Sequence, residues 1–375
     1  MRLPSKPESL FWAILAMVML LTACTMNNNE DDIWTWGNYP ELGTGPVEFK
    51  VVPLEDGTFN EITPMGHMNL PQHPIPTSAG GFSFLSNGYS QPVKAPADGV
   101  ITAIRYTHVF NVDGTKSFPD YAVRIYHTNT FITWYDHLSA IDDTILAKTG
   151  TLAEGWTKAY VPVKAGDVFG KTAASSEQVT GLGMYAYDKE KTLDFINPEK
   201  YGPFGAHAVF AFDYFRNDIK TQLFAYIKRT AEPRGGKIDF DVAGTLSGNW
   251  IVEGSNVISS PNPWNYWLSF SYDMYYPESR RISIGVELGT TIGKSNGILT
   301  QPVEGPDYTA ARTGSDPVRY KLADAMEGLS SLPATSDIKY TLLAQVVEEN
   351  KIKVELFDGN IDNPSFTENA KYYTR

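Results

Sequence analysis

A chain of 375 residues, 42% of them hydrophobic and 13% aromatic, is long enough for two domains with sizeable cores. Its formal net charge of -12 argues against nucleic acid as a partner, because phosphates need a basic face. The single cysteine, Cys24, excludes an intramolecular disulfide, so the fold must rest on its core. Residues 1–10 carry Arg2 and Lys6, and "FWAILAMVMLL" follows, an apolar run too short to span a bilayer and suited to a signal-peptide core. "TMNNNEDD" after Cys24 reads as a polar tether without a packing pattern. "VEFKVVPL", residues 47–54, predicts a strand, and a Pro/Gly-rich loop leads from it towards "GGFSF". "PVKAPADGVITAIRYT", "YAVRIYHTNTFITWYDHLSAI" and "VPVKAGDVFGKTA" place apolar residues near period two, broken by Gly, Pro or Asp. The "HTNT" stretch is the turn of a predicted hairpin, and "DDTILAKTG" with "TLAEGWTKAY" is an insertion after it. "AHAVFAFDYFRNDIKTQLFAYIKR" starts as a strand and ends as a short helix. Dense punctuation at "TAEPRGGK" sets a boundary near residue 233. Beyond it, "GKIDFDVAGTLSGNWIVE", "NYWLSFSYDMYY", "RRISIGVEL", "KYTLLAQVVEE" and "KIKVELFDG" read as strands, and "YKLADAMEGL" as a turn or two of helix.

The fold class predicted is mainly all-β. Residues 1–23 are a signal peptide, 24–44 a tether, 45–233 a first β-domain, and 234–375 an antiparallel β-barrel or β-sandwich. Leu21-Thr22-Ala23-Cys24 resembles a bacterial lipoprotein lipobox, which implies cleavage before Cys24 and a lipid on its thiol. That in turn implies a chain held at a bacterial cell envelope, on an outer membrane or cell surface. In the C-terminal half, "GTLSGNW" resembles the first strand of lipocalin-type barrels, in which the Trp, here Trp250, closes one end.

"KAPADGVITAIRY", "YDHLSAI" and "VPVKAGDVFGKTA", in this order, resemble the lysostaphin-like zinc peptidases, the M23 or LytM family with its duplicated hybrid motif. The likeness spans residues 60–190 and implies a barrel-sandwich hybrid fold. Biotinyl and lipoyl carrier domains share pieces of the wording, but the lysine hairpin they require is absent. The peptidases hold zinc with three protein ligands and an open position for water, which attacks an amide as hydroxide. The resemblance implies an early His-x-x-x-Asp pair, a middle histidine and a late His-x-His. His137 in "WYDHLSAI" matches the middle histidine and is the catalytic candidate. His73 is the first candidate ligand and His67 the second, but no aspartate follows either. Ser78 and Ala79 stand where a ligand is expected. The late pair reads Met184-Tyr185-Ala186, followed by Asp188.

The resemblance therefore implies a non-catalytic relative: an envelope lipoprotein whose first domain binds peptidoglycan or an envelope protein, with no cofactor. A zinc-dependent endopeptidase with rearranged ligands is the alternative. It would draw on His73, His137 and His207, with Asp188 or Asp213 in support. A third reading is a small-ligand carrier built on the C-terminal barrel. His108 and His127, which flank strands, read as surface or turn residues. Asp98, Asp136 and Asp142 read as solvated turn carboxylates, and Trp264, Tyr266 and Trp267 as an aromatic cluster belonging to a core or a binding face.

Overall fold

A computed structural model describes residues 31–84, 90–110, 116–173, 181–260, 262–326, 328 and 335–375. Cys24 and the predicted signal peptide lie outside the described residues. Ten strands form the N-terminal half: β1 Phe59–Thr63, β2 Gly80–Phe84, β3 Pro92–Lys94, β4 Gly99–Phe110, β5 Lys116–Thr128, β6 Phe131–Ile141, β7 Gly155–Val163, β8 Val168–Thr172, β9 Gly181–Asp188 and β10 Ala208–Val209. The main path of this antiparallel sheet runs β1-β2-β9-β6-β5-β4-β7. β10 joins β9, and β8 bridges β3 to β6.

The hairpin predicted at "HTNT" is β5–β6, with Thr128 opposite Phe131. Pro96–Gly99 turns the chain but does not close a hairpin. β3 leaves it to pair with β8, and β4 to pair with β5 and β7. The turn is instead pinned by Asp98, whose carboxylate accepts from Ala165 N (2.9 Å) and Lys164 Nζ (2.8 Å). The predicted strand at residues 47–54 is reduced to one bridge between Phe49 and Phe215. The predicted insertion supplies a helix, Asp143–Thr149, capped by the Asp142 carboxylate at Thr144 N (3.0 Å), and then β7.

On β5, Ala122, Val123, Arg124, Ile125 and Tyr126 are buried in succession. An alternating strand buries only one of its faces, so a second layer must cover the other. Residues 31–45, which include about two thirds of the predicted tether, supply part of that layer as a strap. Ile33 is 1% exposed, and Trp34 stacks on Trp134 with centroids 5.5 Å apart. Polar composition suggested a tether, but Ile33, Trp34, Trp36 and Tyr39 between the polar residues hold this stretch to the sheet.

The second half is a closed antiparallel barrel: β11 Gly248–Val252, β12 Trp267–Tyr272, β13 Arg280–Ile284, β14 Ile298–Glu304, β15 Val318–Asp324, β16 Tyr340–Glu348, β17 Lys351–Asp358 and β18 Lys371–Thr374. Each strand pairs with the next, and β11 closes on β18 with Ile251 opposite Thr374. "YKLADAMEGL" contributes to β15 rather than to a helix, because Tyr320 and Leu322 alternate into the barrel. Trp250 is fully buried in the barrel core. Its indole donates to Leu246 O (2.9 Å), and the Arg375 guanidinium stacks 4.0 Å from its ring centroid. The two halves keep separate cores, one reaching Ile238 and the other starting at Leu246. They meet through Tyr201 on Trp267, Asn249 Nδ2 on the Tyr201 hydroxyl (3.2 Å), and Arg229 on Met274 O (2.9 Å).

Candidate functional site

Between the pairs Tyr121–Leu138 and Val123–Tyr135, β6 holds two residues, Asp136 and His137, against Ala122 alone on β5. This is a β-bulge, a device that re-aims side chains. His137 takes the left-handed conformation there, with φ of +68°. Its ring, 48% exposed, turns towards the edge where Asp120 of β5 lies buried. His137 Nδ1 donates to Asp120 Oδ1 (3.3 Å), which fixes the proton on Nδ1 and leaves Nε2 to the surroundings. This bond raises the His137 pKa, against the opposing effect of burial.

Arg105 of β4 completes the group. It donates to Asp120 Oδ2 (3.1 Å) and lies 3.6 Å from Asp136 Oδ1, which accepts from the Trp134 indole (2.9 Å). Across β6 stands β9, with Tyr185 opposite Trp134 and Gly183 opposite Asp136. Burial first, and then the Asp136 charge, push the Tyr185 hydroxyl far above the usual phenol range.

The loop before β2 brings His67 and His73 together. Asn69 and His73 exchange backbone bonds, and Thr77 N donates to His67 O (3.1 Å). The two imidazole centroids are 6.0 Å apart. Burial, then the neighbouring His67 and His137, lower the His73 pKa to about 4, and burial lowers that of His67. His67 also lines a cavity of about 490 Å³ with Met68, Asn69, Asn296 and Met326, where the loop faces the barrel.

His207 does not join this group. Its carbonyl accepts from Asp188 N (2.9 Å), and Asp188 lies opposite Phe131, at the far end of β6 from His137. That separation is roughly 15–20 Å at a strand's rise per residue. His207 Nδ1 donates to Lys191 O (2.6 Å), and the ring packs against Trp36. The Asp188 carboxylate accepts from the Tyr214 hydroxyl, and that of Asp213 from Lys220. Of the proposed set His73, His137 and His207, the structure places His207 apart from His137, while His67 stands beside His73. Zinc needs three donors converging at about 2 Å. Among the described residues no group of three His, Cys, Asp or Glu side chains could hold a metal ion.

Two other histidines also differ from the sequence reading. His127 is buried. Its Nδ1 donates to Asp98 O (2.9 Å), and Nε2 accepts from the Thr133 hydroxyl (2.8 Å). It ties the Pro96–Gly99 turn to the β5–β6 hairpin. His108 stacks on Tyr106 and shares a hydrogen bond with its hydroxyl (3.1 Å). Asp120 and Arg105 were not singled out in the sequence. Only strand register, offset by the bulge, brings them to His137.

No protein-family model matches the chain. No curated protein matches it either. Among solved structures 14 chains match. A zinc-containing peptidase from Vibrio cholerae aligns over 39% of this chain and 38% of its own length, at 14% identity and a TM-score of 0.25. The solution structure of lysostaphin aligns over 80% of each chain, at 10% identity and a TM-score of 0.20.

Proposed function

We propose that this chain is a cell-envelope protein, held by a lipid on Cys24, whose N-terminal domain binds a wall component or an envelope protein without metal chemistry. The observation that supports this reading most is the face opposite Asp136 and His137. Gly183 has no side chain to offer, and Tyr185 keeps its proton. Asp120, the buried carboxylate at the site, is turned to His137 and Arg105. The test is metal content. The purified chain should carry no stoichiometric zinc. One zinc per chain, lost in His137→Ala, would overturn the reading.

The Asp120–His137 pair favours a second reading, an acid–base centre. A histidine oriented by a buried carboxylate, with its second nitrogen open, is the arrangement of a general base. Hydrolysis of wall cross-link peptides that is abolished by His137→Ala and persists in chelator would support it. Trp250, Phe270, Tyr308, Tyr320 and Tyr373 fill the barrel interior, and no observation there favours the carrier reading.

A further inference from the structure

The strap lies across the sheet without pairing to any strand; among the described residues, side chains of the sheet and the β5–β6 turn, with one main-chain bond, hold its backbone. Arg124 donates through its guanidinium to Ile33 O. The Tyr126 hydroxyl accepts from Gly37 N (2.6 Å), and Asn129 Oδ1 from Tyr39 N (2.6 Å). Thr130 Oγ1 accepts from Gly45 N (3.2 Å), and Asn129 N donates to Gly43 O (2.8 Å). Two aromatic sites sit between these bonds. Trp134 and Trp156 hold the Trp34 indole, with centroids at 5.5 and 5.7 Å. Tyr126, Phe204 and His207 surround Trp36, whose Nε1 donates to Pro203 O (2.8 Å). Main-chain bonds at intervals with pockets for alternate side chains are how a protein reads an extended peptide.

Arg124 is the charged member of this surface. It is 3% exposed, and among the described residues it contacts neutral groups: the Thr102 hydroxyl, the Ile33 carbonyl and the Tyr126 ring. Burying a cation is costly unless its donors are met, and here the strap's carbonyl meets one of them. Gly43 and Gly45 at the strap's end take φ of +69° and +97°, and Trp34 is 48% exposed while Ile33 is 1% exposed.

We propose that the face formed by β5, β6 and β7 is a peptide-binding groove and that residues 33–39 are its tethered occupant. The partner that displaces them is an extended segment of another protein with two aromatic side chains two residues apart, followed by glycine. The inference does not depend on what His137 binds.

The test uses the full chain carrying Trp34→Ala and Trp36→Ala, and a labelled peptide of sequence Ile-Trp-Thr-Trp-Gly-Asn-Tyr. Fluorescence polarisation should show saturable binding at least tenfold tighter than to the unaltered chain, whose groove is filled. Adding Asn129→Ala or Trp134→Ala should weaken it at least tenfold, and a peptide with both Trp replaced by Ala should not bind. Absence of saturable binding to a double variant whose circular dichroism matches that of the unaltered chain overturns the proposal. So does unfolding of the double variant, which would make the strap part of the core. An unaltered chain that dimerises with concentration would make the strap of a second copy the occupant and overturn the assignment of a separate partner.

Discussion

His137 reaches the buried Asp120 carboxylate from a β-bulge residue whose backbone stands in the left-handed region. The hydrogen bond raises the pKa of His137 above its ordinary 6.5. Asp120→Asn should therefore lower it, measured as the midpoint of the His137 ring resonances in an NMR titration. The sign for stability follows. A histidine with a raised folded pKa contributes fully below its unfolded value and loses that contribution as pH climbs through the folded one. The stability difference between the unaltered chain and Asp120→Asn should thus be larger at pH 6 than at pH 8. Half exposure of the ring keeps the difference small.

The backbone at position 137 offers a second test. A side chain in the left-handed region costs about 1 kcal/mol relative to glycine. Removing the ring by His137→Gly should leave the chain about 1 kcal/mol more stable than removing it by His137→Ala, measured by urea unfolding. Equal stabilities would show that the bulge carries no strain.

His127 governs acid stability with the opposite sign. Burial lowers its pKa from 6.5 to about 4. Such a group stabilises the fold above pH 6.5, and the contribution is lost as pH falls from there through about 4. The full loss is on the order of 3 kcal/mol, and His73 adds in the same direction. His127→Gln should be less stable than the unaltered chain at pH 7 by about 1–3 kcal/mol, because Asp98 O or the Thr133 hydroxyl loses its partner. Its stability should also fall less steeply between pH 6.5 and 4. An unchanged slope would assign the acid sensitivity to other groups.

In the barrel, Trp250 and Tyr373 are both fully buried, yet they should respond differently. Trp250→Ala opens a cavity and strips Arg375 of its ring, for a loss of about 3–5 kcal/mol. Tyr373→Phe removes a hydroxyl that has no partner among the described residues, so it should be neutral or slightly stabilising in thermal unfolding. A large loss in Tyr373→Phe would show that the hydroxyl is bonded in solution.

Cys24 can be tested directly. Radiolabelled palmitate should enter the unaltered chain in a bacterial host and be absent from Cys24→Ser, which should fractionate away from membranes.

Period-two patterning made the β-class, the β5–β6 hairpin and the strand-rich second half legible, because alternation and turn residues are local properties. Contacts that depend on register were not. Asp120 meets His137 only because one extra residue in β6 shifts the pairing. The burial of His127 depends on the Pro96–Gly99 turn folding onto the hairpin. The strap was hidden by its composition, since Trp34 and Trp36 stand among Asp, Asn and Gly. "YKLADAMEGL" has helix-forming residues, but closing the barrel requires a strand there. Lys321 accordingly reaches over the barrel's outside to Asn360 and Ile361 O. The layout of the histidines was partly legible. The missing imidazoles of the late pair could be read directly, whereas the separation of His207 from His137 required the pairing of β6 with β9.

The two strand orders have a kinetic consequence. In the barrel each strand pairs with its sequence neighbour, so the meander can zip from any hairpin, and only the β11–β18 seam awaits a distant partner. The N-terminal sheet pairs sequence neighbours at β1–β2, at β9–β10 and along the β4–β5–β6 run. Its β2–β9 pair, with Gly80 opposite Met184, must close a long loop before it gains anything. The half synthesised last is thus the half equipped to fold first. Pulse-labelling hydrogen exchange during refolding should protect barrel amides before those of β2 and β9.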